Sequence, residues 1–400
     1  MRISTSAFNA LALSDMEHAQ TTLSRTQNQL ATGKRVNSPA DDPVAAVKIQ
    51  EYERAKQEST QFGQNSDAAR NRLSLEAQAL TDATSTMQQI RELAVQASNS
   101  ATLTDADRNS IATQIDGLRQ NMLDIANRKD SNGEYLFAGF SSQTQPFARN
   151  GSGTVQYSGD QGVRQLQITS AQTIADGDSG FSVFMNIPEG NGTFTVKPAP
   201  GNTGTAVIGT DSVQNKAAWV PGSYTLKFST PTDYTIVDST SAVVATGTYA
   251  SGGAISFNGV QFTLSGAPAA NDSFAIAPAG KLDVFTMLDS LSSALSTPTI
   301  TASQRAALTS AMGATLGQVD QTIDHLTSAS ASVGTRLNVL DTTDNARSDA
   351  DLQRETSLSR IRDVDYASAV STMNQQLVGL QAAQASYARI SQLSLFDYIS

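Results

Sequence analysis

The 400-residue chain is predicted to be an elongated α+β protein, in which N- and C-terminal segments form an antiparallel helical coiled-coil rod around an inserted central β domain. Three observations predict this. Eighteen of the 27 glycines and eight of the 11 prolines lie between Pro146 and Gly280, so the middle is punctuated like a β domain and the flanks are not. Both flanks repeat apolar residues at the alternating four-and-three spacing of a coiled-coil seam. The last observation concerns length: a helix from Ser303 to about Ile361 would be roughly 90 Å long, whereas a compact chain of this size is only about 55 Å across. The expected segments are 1–43, a terminal helix and turn; 44–145, the first part of the rod; 146–284, the β insert; 285–362, the second part of the rod; and 363–400, a terminal helix.

The opening helix carries Met16, Leu23 and Leu30 at sevenfold spacing, with Ala19 and Thr26 between them, and stops at Gly33. A turn follows through Lys34, Arg35, Asn37, Pro39, Asp41 and Asp42, where Asp42 can cap the next helix and Pro43 can take its first position at no hydrogen-bonding cost. That second helix runs to about Ser98 with Leu73, Leu80, Met87 and Ala94 on one seam. Thr104 with Asp105 and Asp107 marks a fresh N-terminus, and Ile111, Ile115, Leu118, Met122 and Ile125 continue the apolar spacing.

In the middle, Val163 to Ile168, Phe181 to Ile187, Tyr224 to Phe228 and Ala242 to Tyr249 have the composition of strands. Ala254 to Phe257, then Asn258-Gly259, then Val260 to Leu264 predicts a hairpin on a type I′ turn. These runs predict one compact β domain with room for two sub-sheets. Beyond it, Met312, Leu316, Val319, Ile323, Leu326, Ser330, Val333, Leu337 and Leu340 keep an unbroken four-three alternation that Leu358 and Ile361 can rejoin, with Gly334 and Asp341-Thr342-Thr343 as the weak points. The final helix follows Asp363-Val364-Asp365, with Val370, Met373, Leu377, Leu380 and Tyr387 on its seam and Leu393 and Phe396 near its end.

Composition excludes several function classes. A net charge of −10 repels phosphate backbones and anionic headgroups, so neither nucleic acid nor membrane is an expected partner. The start has no cleavable-signal pattern, and no stretch has the length and apolarity of a membrane span. Without cysteine, and with only His18 and His325, thiol chemistry, metal sites and histidine-based catalysis lose their residues, and no cofactor is expected. Gly33-Lys34-Arg35 lacks the flanking residues of a phosphate loop. Asp41-Asp42 is explained by capping, and Asp341, Asp344, Asp349 and Asp351 by a solvated helix face rather than a calcium loop. Gly313 and Gly317 mark close helix packing. Trp219, Tyr224 and Phe228 could line a binding site, although strand packing accounts for them. A two-helix hairpin of the chain ends would leave much apolar surface wet, which points to packing against further copies. Met16, Leu23, Leu30, Val370, Met373, Leu377, Leu380, Tyr387, Leu393 and Phe396 are the candidate subunit-interface residues.

The turn Thr32 to Pro43 and the run Val333-Gly334-Thr335-Arg336-Leu337-Asn338 resemble motifs of the bacterial flagellin and hook-associated family. Met1-Arg2-Ile3-Ser4-Thr5, Asn132 to Phe140 and Ser391 to Ile399 resemble its junction-protein branch more than its filament subunits, and Gly190-Asn191-Gly192-Thr193-Phe194 is similar to a run in junction proteins. The resemblance implies a non-enzymatic structural subunit joining hook to filament. It would be exported to the extracellular flagellum through the type III channel without a cleaved signal peptide, and would assemble as a homo-oligomeric ring. Its neighbours would be another junction protein and flagellin, and an export chaperone would hold Val370 to Phe396. Two other functions remain open at this point: a filament flagellin, and a ligand-binding β domain mounted on a rod.

Overall fold

The computed structural model describes residues 5–98, 103–151 and 153–396; the side chains of 390–396, including Leu393 and Phe396, and the end motifs at 1–4 and 397–400 lie outside the described residues. Among the described residues there are six α-helices: α1 (Thr5–Thr32), α2 (Pro43–Ser98), α3 (Asp105–Ala126), α4 (Val284–Ser296), α5 (Ala302–Arg362) and α6 (Tyr366–Phe396). Between α3 and α4 run the strands β1 (Phe147–Arg149), β2 (Val155–Tyr157), β3 (Gln165–Gln167), β4 (Thr173–Ala175), β5 (Ile187–Pro188), β6 (Phe194–Pro198), β7 (Val207–Val213), β8 (Tyr224–Phe228), β9 (Asp233–Asp238), β10 (Val243–Thr248), β11 (Ala254–Phe257), β12 (Val260–Ser265), β13 (Ser273–Pro278) and β14 (Lys281–Leu282). The chain divides into two compact units, one made of Met1–Gln64 and Thr342–Ser400, the other of Asn65–Asp341.

Local chemistry starts these helices where the sequence places them. Asp42 accepts the Ala45 amide at 3.0 Å, so it caps α2 with Pro43 in the first turn. Thr104 and Asp107 form a reciprocal capping box at the start of α3. Neither Gly334 nor Asp341-Thr342-Thr343 interrupts α5, which is one helix of 61 residues.

In the central unit, Met312, Val319, Leu326, Val333 and Leu340 recur every seven residues along α5 and are fully buried, while Leu316, Ile323 and Leu337 are half-buried. Their partners are Leu73, Leu80, Met87, Ile90 and Ala94 of α2, with Ile111, Ile115 and Met122 of α3 and Leu288 and Leu291 of α4 in the same core. Each fully buried Leu, Ile or Met contributes about 1.5–3 kcal/mol, so this seam supplies most of the unit's cohesion.

The β segment has two different homes. Phe147, Ile168, Ile174, Val183, Phe184 and Ile187 belong to the helical core. From Phe194 to Ile276 the chain builds a separate core inside a five-stranded sheet, ordered β10-β9-β8-β13-β6, and a three-stranded one, ordered β11-β12-β7. The two sub-sheets therefore occupy the later part of the 146–284 segment, because the earlier strands are only two or three residues long and cannot bury a face without the helices. The hairpin at Asn258-Gly259 is as expected, with φ of 45° and 77° and Phe257 paired to Val260.

Two expectations are corrected. Phe181 to Ile187 is not a strand: Phe181–Met185 forms a π-helical turn, followed by the short β5. Val183 and Phe184 are adjacent yet both buried, which an alternating strand cannot achieve, and Phe184 packs 5.1 Å from the Phe137 ring and 5.6 Å from that of Phe147. Asp344 and Asp351 do not lie on a free solvated face. They fall on the continuation of the α5 seam, where Arg347 and Arg354 pair with them at 2.6 Å each and Ser59 of α2 donates to Asp351 at 2.7 Å. Hydrophobicity vanishes from that seam between Leu340 and Leu358, but the four-three spacing does not.

Candidate functional site: the paired chain ends

The residues singled out for assembly lie in the unit that brings the two chain ends together. Thr26 and Leu23 of α1 are buried, as is Ala369 of α6, and Met16, Leu30, Met373, Leu377, Leu380 and Tyr387 are half-buried. Helices α1 and α6 pack on one another, and these residues of theirs are buried or half-buried. Only part of that surface stays available: Leu23 is covered within the chain, while Val370 is 42% exposed. Sequence reading missed the exposed apolar side chains Leu11, Leu13, Val44, Val47, Leu352, Tyr366 and Val378, because they stand off the seam that periodicity detects. An apolar residue just outside a seam was the signal that could have found them.

A backbone clasp sets the pairing. After α1, Gly33 takes φ +70° and turns the chain beside the α5–α6 junction. There the Arg35 amide donates to the Arg362 carbonyl at 2.6 Å, the Val364 amide donates to the Gly33 carbonyl at 3.0 Å, and Lys34 and Asp363 form an antiparallel bridge. The Arg35 guanidinium reinforces it, donating to the Ile361 carbonyl at 2.8 Å through Nη2 and pairing with Asp42 at 3.3 Å through Nη1. Carbonyls at a helix C-terminus carry partial negative charge, so a guanidinium there is favourable.

The turn is also braced internally. Thr32 donates to Asn37 Oδ1 at 2.8 Å, and Asn37 Nδ2 donates to the Lys34 carbonyl at 3.3 Å. Asp41 accepts from the amides of Ser38 and Asn37 and pairs with Arg25 at 3.1 Å. Those donations, the Ser38 amide foremost, hold its carboxyl below the usual range against the opposing effect of burial. The Ala45 amide, with Arg35, does the same for Asp42, and the Arg362 side chain, with Ser359 and Lys34, does it for Asp363. The family-motif residues Gly33, Lys34, Arg35, Asn37, Asp41 and Asp42 therefore converge on one structural task.

Gly33→Ala is expected to cost about 1–2 kcal/mol, since a side chain in the left-handed region is strained, and its Cβ would stand 2.9 Å from the Tyr366 hydroxyl. Hydrogen exchange of the Val364 amide checks this; unchanged protection there would refute the clasp.

Among the described residues no three His, Asp or Glu side chains converge as metal ligands, and no helix is long and apolar enough to cross a membrane. Trp219 stacks near Phe194, Tyr224 and Phe257 at 5.8–6.3 Å, and Tyr224 and Phe228 are buried in the β core, so this aromatic cluster packs the insert rather than lining a cleft.

Comparison with known proteins bears on each part of the chain. Residues 3–142 match the bacterial flagellin N-terminal helical region and residues 316–399 its C-terminal helical region. Residues 199–278, within the separate β core, match the D2-like domain of flagellar hook-associated protein 1. The flagellar hook-associated protein 3 of Salmonella typhimurium is 26% identical over 398 residues, covering 99% of both chains. The phase 1 flagellin of Salmonella naestved is 27% identical over 131 residues, 33% of this chain. Among solved structures, FlgL of Xanthomonas campestris is 36% identical with a TM-score of 0.72, over 77% of this chain and 99% of that one. Flagellar hook associated protein-3 of Legionella pneumophila is 33% identical with a TM-score of 0.75, over 78% and 98%.

Proposed function

Because the chain belongs to the flagellar hook-associated protein 3 (FlgL) family, we propose that its paired ends are the contacts by which it assembles as a structural subunit joining hook to filament. One observation carries the choice of the junction over the filament: the alignment to flagellar hook-associated protein 3 runs through both helical flanks and the β insert, whereas the alignment to phase 1 flagellin covers 33% of the chain.

Its relatives are structural proteins of the flagellum, and the role proposed here is mechanical rather than catalytic. Segments 1–43 and 363–400 make the assembly contacts, and the helical segments 44–145 and 285–362 carry load. Apolar side chains that α1 and α6 leave uncovered, Val370 and Val378 among them, are met by neighbouring copies in a ring. Half-buried Met16, Leu30, Met373, Leu377, Leu380 and Tyr387 gain their remaining cover there. Another junction protein and flagellin are the axial neighbours. Before assembly an export chaperone covers Val370 to Phe396, and the chain reaches the extracellular flagellum.

Deleting the gene in its host is the test. Hooks should persist, filaments should be missing, and flagellin should accumulate in the medium. Hooks that keep their junction proteins while no filament protein is found in cells or medium would make the chain a filament subunit instead.

A further inference from the structure

A cluster of charges is buried in the unit of Asn65–Asp341, outside the chain ends proposed for assembly. Glu76 of α2 is 1% exposed. Its Oε1 accepts the Asp178 amide at 3.2 Å, while Oε2 is buried with no hydrogen-bond partner among the described residues. The Asp178 side chain lies beside it and is ion-paired with Arg336 of α5, whose Nη1 is likewise buried without a partner.

The surrounding cations are committed elsewhere. Arg72, one turn before Glu76, binds Asp130 at 3.2 Å and the carbonyls of Tyr135 and Leu136 at 2.9 and 3.1 Å, with Glu134 at 3.7 Å. Arg164 is taken by Asp176 at 2.7 Å and Glu134 at 3.3 Å. Two carboxyls therefore face each other over a single guanidinium. Carboxylates only accept hydrogen bonds, so the contact can be satisfied only when one of them holds a proton.

We propose that Glu76 keeps its proton in the folded chain and donates it through Oε2 to the Asp178 carboxylate, latching the loop from Asp176 to Met185 onto α2 and α5. The same loop places Val183 and Phe184 in the helical core and receives His325 of α5, whose Nε2 lies 2.8 Å from the Ser182 carbonyl. Loss of the proton in alkaline medium puts a second negative charge against Asp178 with only Arg336 to offset it, and the loop loosens.

Burial, together with the Asp178 charge, pushes the Glu76 carboxyl well above its ordinary range against the pull of Arg336. A carboxyl raised by folding contributes stability that is complete below its unfolded value, near 4.5, and is lost as pH rises through the folded value. Glu76→Gln keeps a donor toward Asp178 and cannot ionise.

Thermal melting of the full chain and of E76Q between about pH 5 and about pH 9 tests the latch. The two should melt together at the acid end, and E76Q should melt at least about 3 °C higher at the alkaline end. His325 and every other titrating group are common to both proteins, so the difference isolates position 76. Parallel curves, or a uniform loss in E76Q, would overturn the proposal. If E76Q does not fold, infrared spectra of the wild-type protein decide: a buried neutral-carboxyl band at neutral pH that disappears on alkalinisation supports the latch, and its absence refutes it.

Discussion

Removing residues 1–40 and 365–400 is expected to abolish incorporation into flagella while leaving a folded chain. The reason lies in where the cores sit. Among the described residues the helical core falls between Ala69 and Leu340 and the β core between Phe194 and Ile276, so no described side chain of the excised helices belongs to either. What the truncation removes is α1, most of the turn that clasps it, and α6, including the buried Leu23 and Ala369. Complementation of a deletion strain should fail completely, whereas the thermal transition of the purified truncated chain should survive within a few degrees of that of the full chain. Collapse of the transition would mean that the ends hold the central unit together, contrary to the separation of the cores. Restored filament growth would remove the assembly role from α1 and α6.

Replacing Arg72 with leucine is expected to produce the largest loss of stability from a single change, about 3–5 kcal/mol in equilibrium urea unfolding. The guanidinium is 8% exposed and satisfies Asp130, itself 9% exposed, together with two main-chain carbonyls. Leucine fills much of the volume but leaves the buried carboxylate without its counter-charge and those carbonyls without the Arg72 donor, and removing one member of a buried pair costs more than the pair contributes. The site matters because Asp130 organises the run at 132–140: its Oδ1 accepts the amides of Asn132 at 2.8 Å and Glu134 at 3.0 Å, directing Leu136, Phe137 and Ala138 into the core. A double replacement, Arg72→Leu with Asp130→Asn, should recover part of the loss. A cost below about 1 kcal/mol for Arg72→Leu would show the network to be solvated rather than buried.

Those two predictions draw on different kinds of information. The terminal helices are legible in the sequence because their signals are local: Met16, Leu23 and Leu30 repeat every seventh residue, Asp42-Pro43 and Thr104 to Asp107 are caps, and Asn258-Gly259 is a turn. The Arg72 network is not legible, since Arg72, Asp130, Arg164, Asp178 and Arg336 are far apart along the chain and each alone reads as a surface charge. The same blindness explains the corrected elements. Phe181 to Ile187 has strand composition, and only the proximity of Phe137 and Phe147 makes a helical turn the better way to bury Phe184. Asp344 and Asp351 look solvated until Ser59 and the arginines next to them in space are known.

By itself, the sequence determined which stretches are helical, where they start, that a β insert lies between them, and which stripes of the end helices are apolar, because periodicity, caps and turn chemistry act over a few residues. Only the tertiary structure decided that Leu23 is already covered inside the chain, that Gly33 and Arg35 bind the backbone at 361–364, that the β segment is shared between two cores, and that Glu76 has Asp178 for a neighbour. Each of these depends on residues distant in the chain meeting in space, and a pairwise energy between distant residues leaves no periodic trace along either segment.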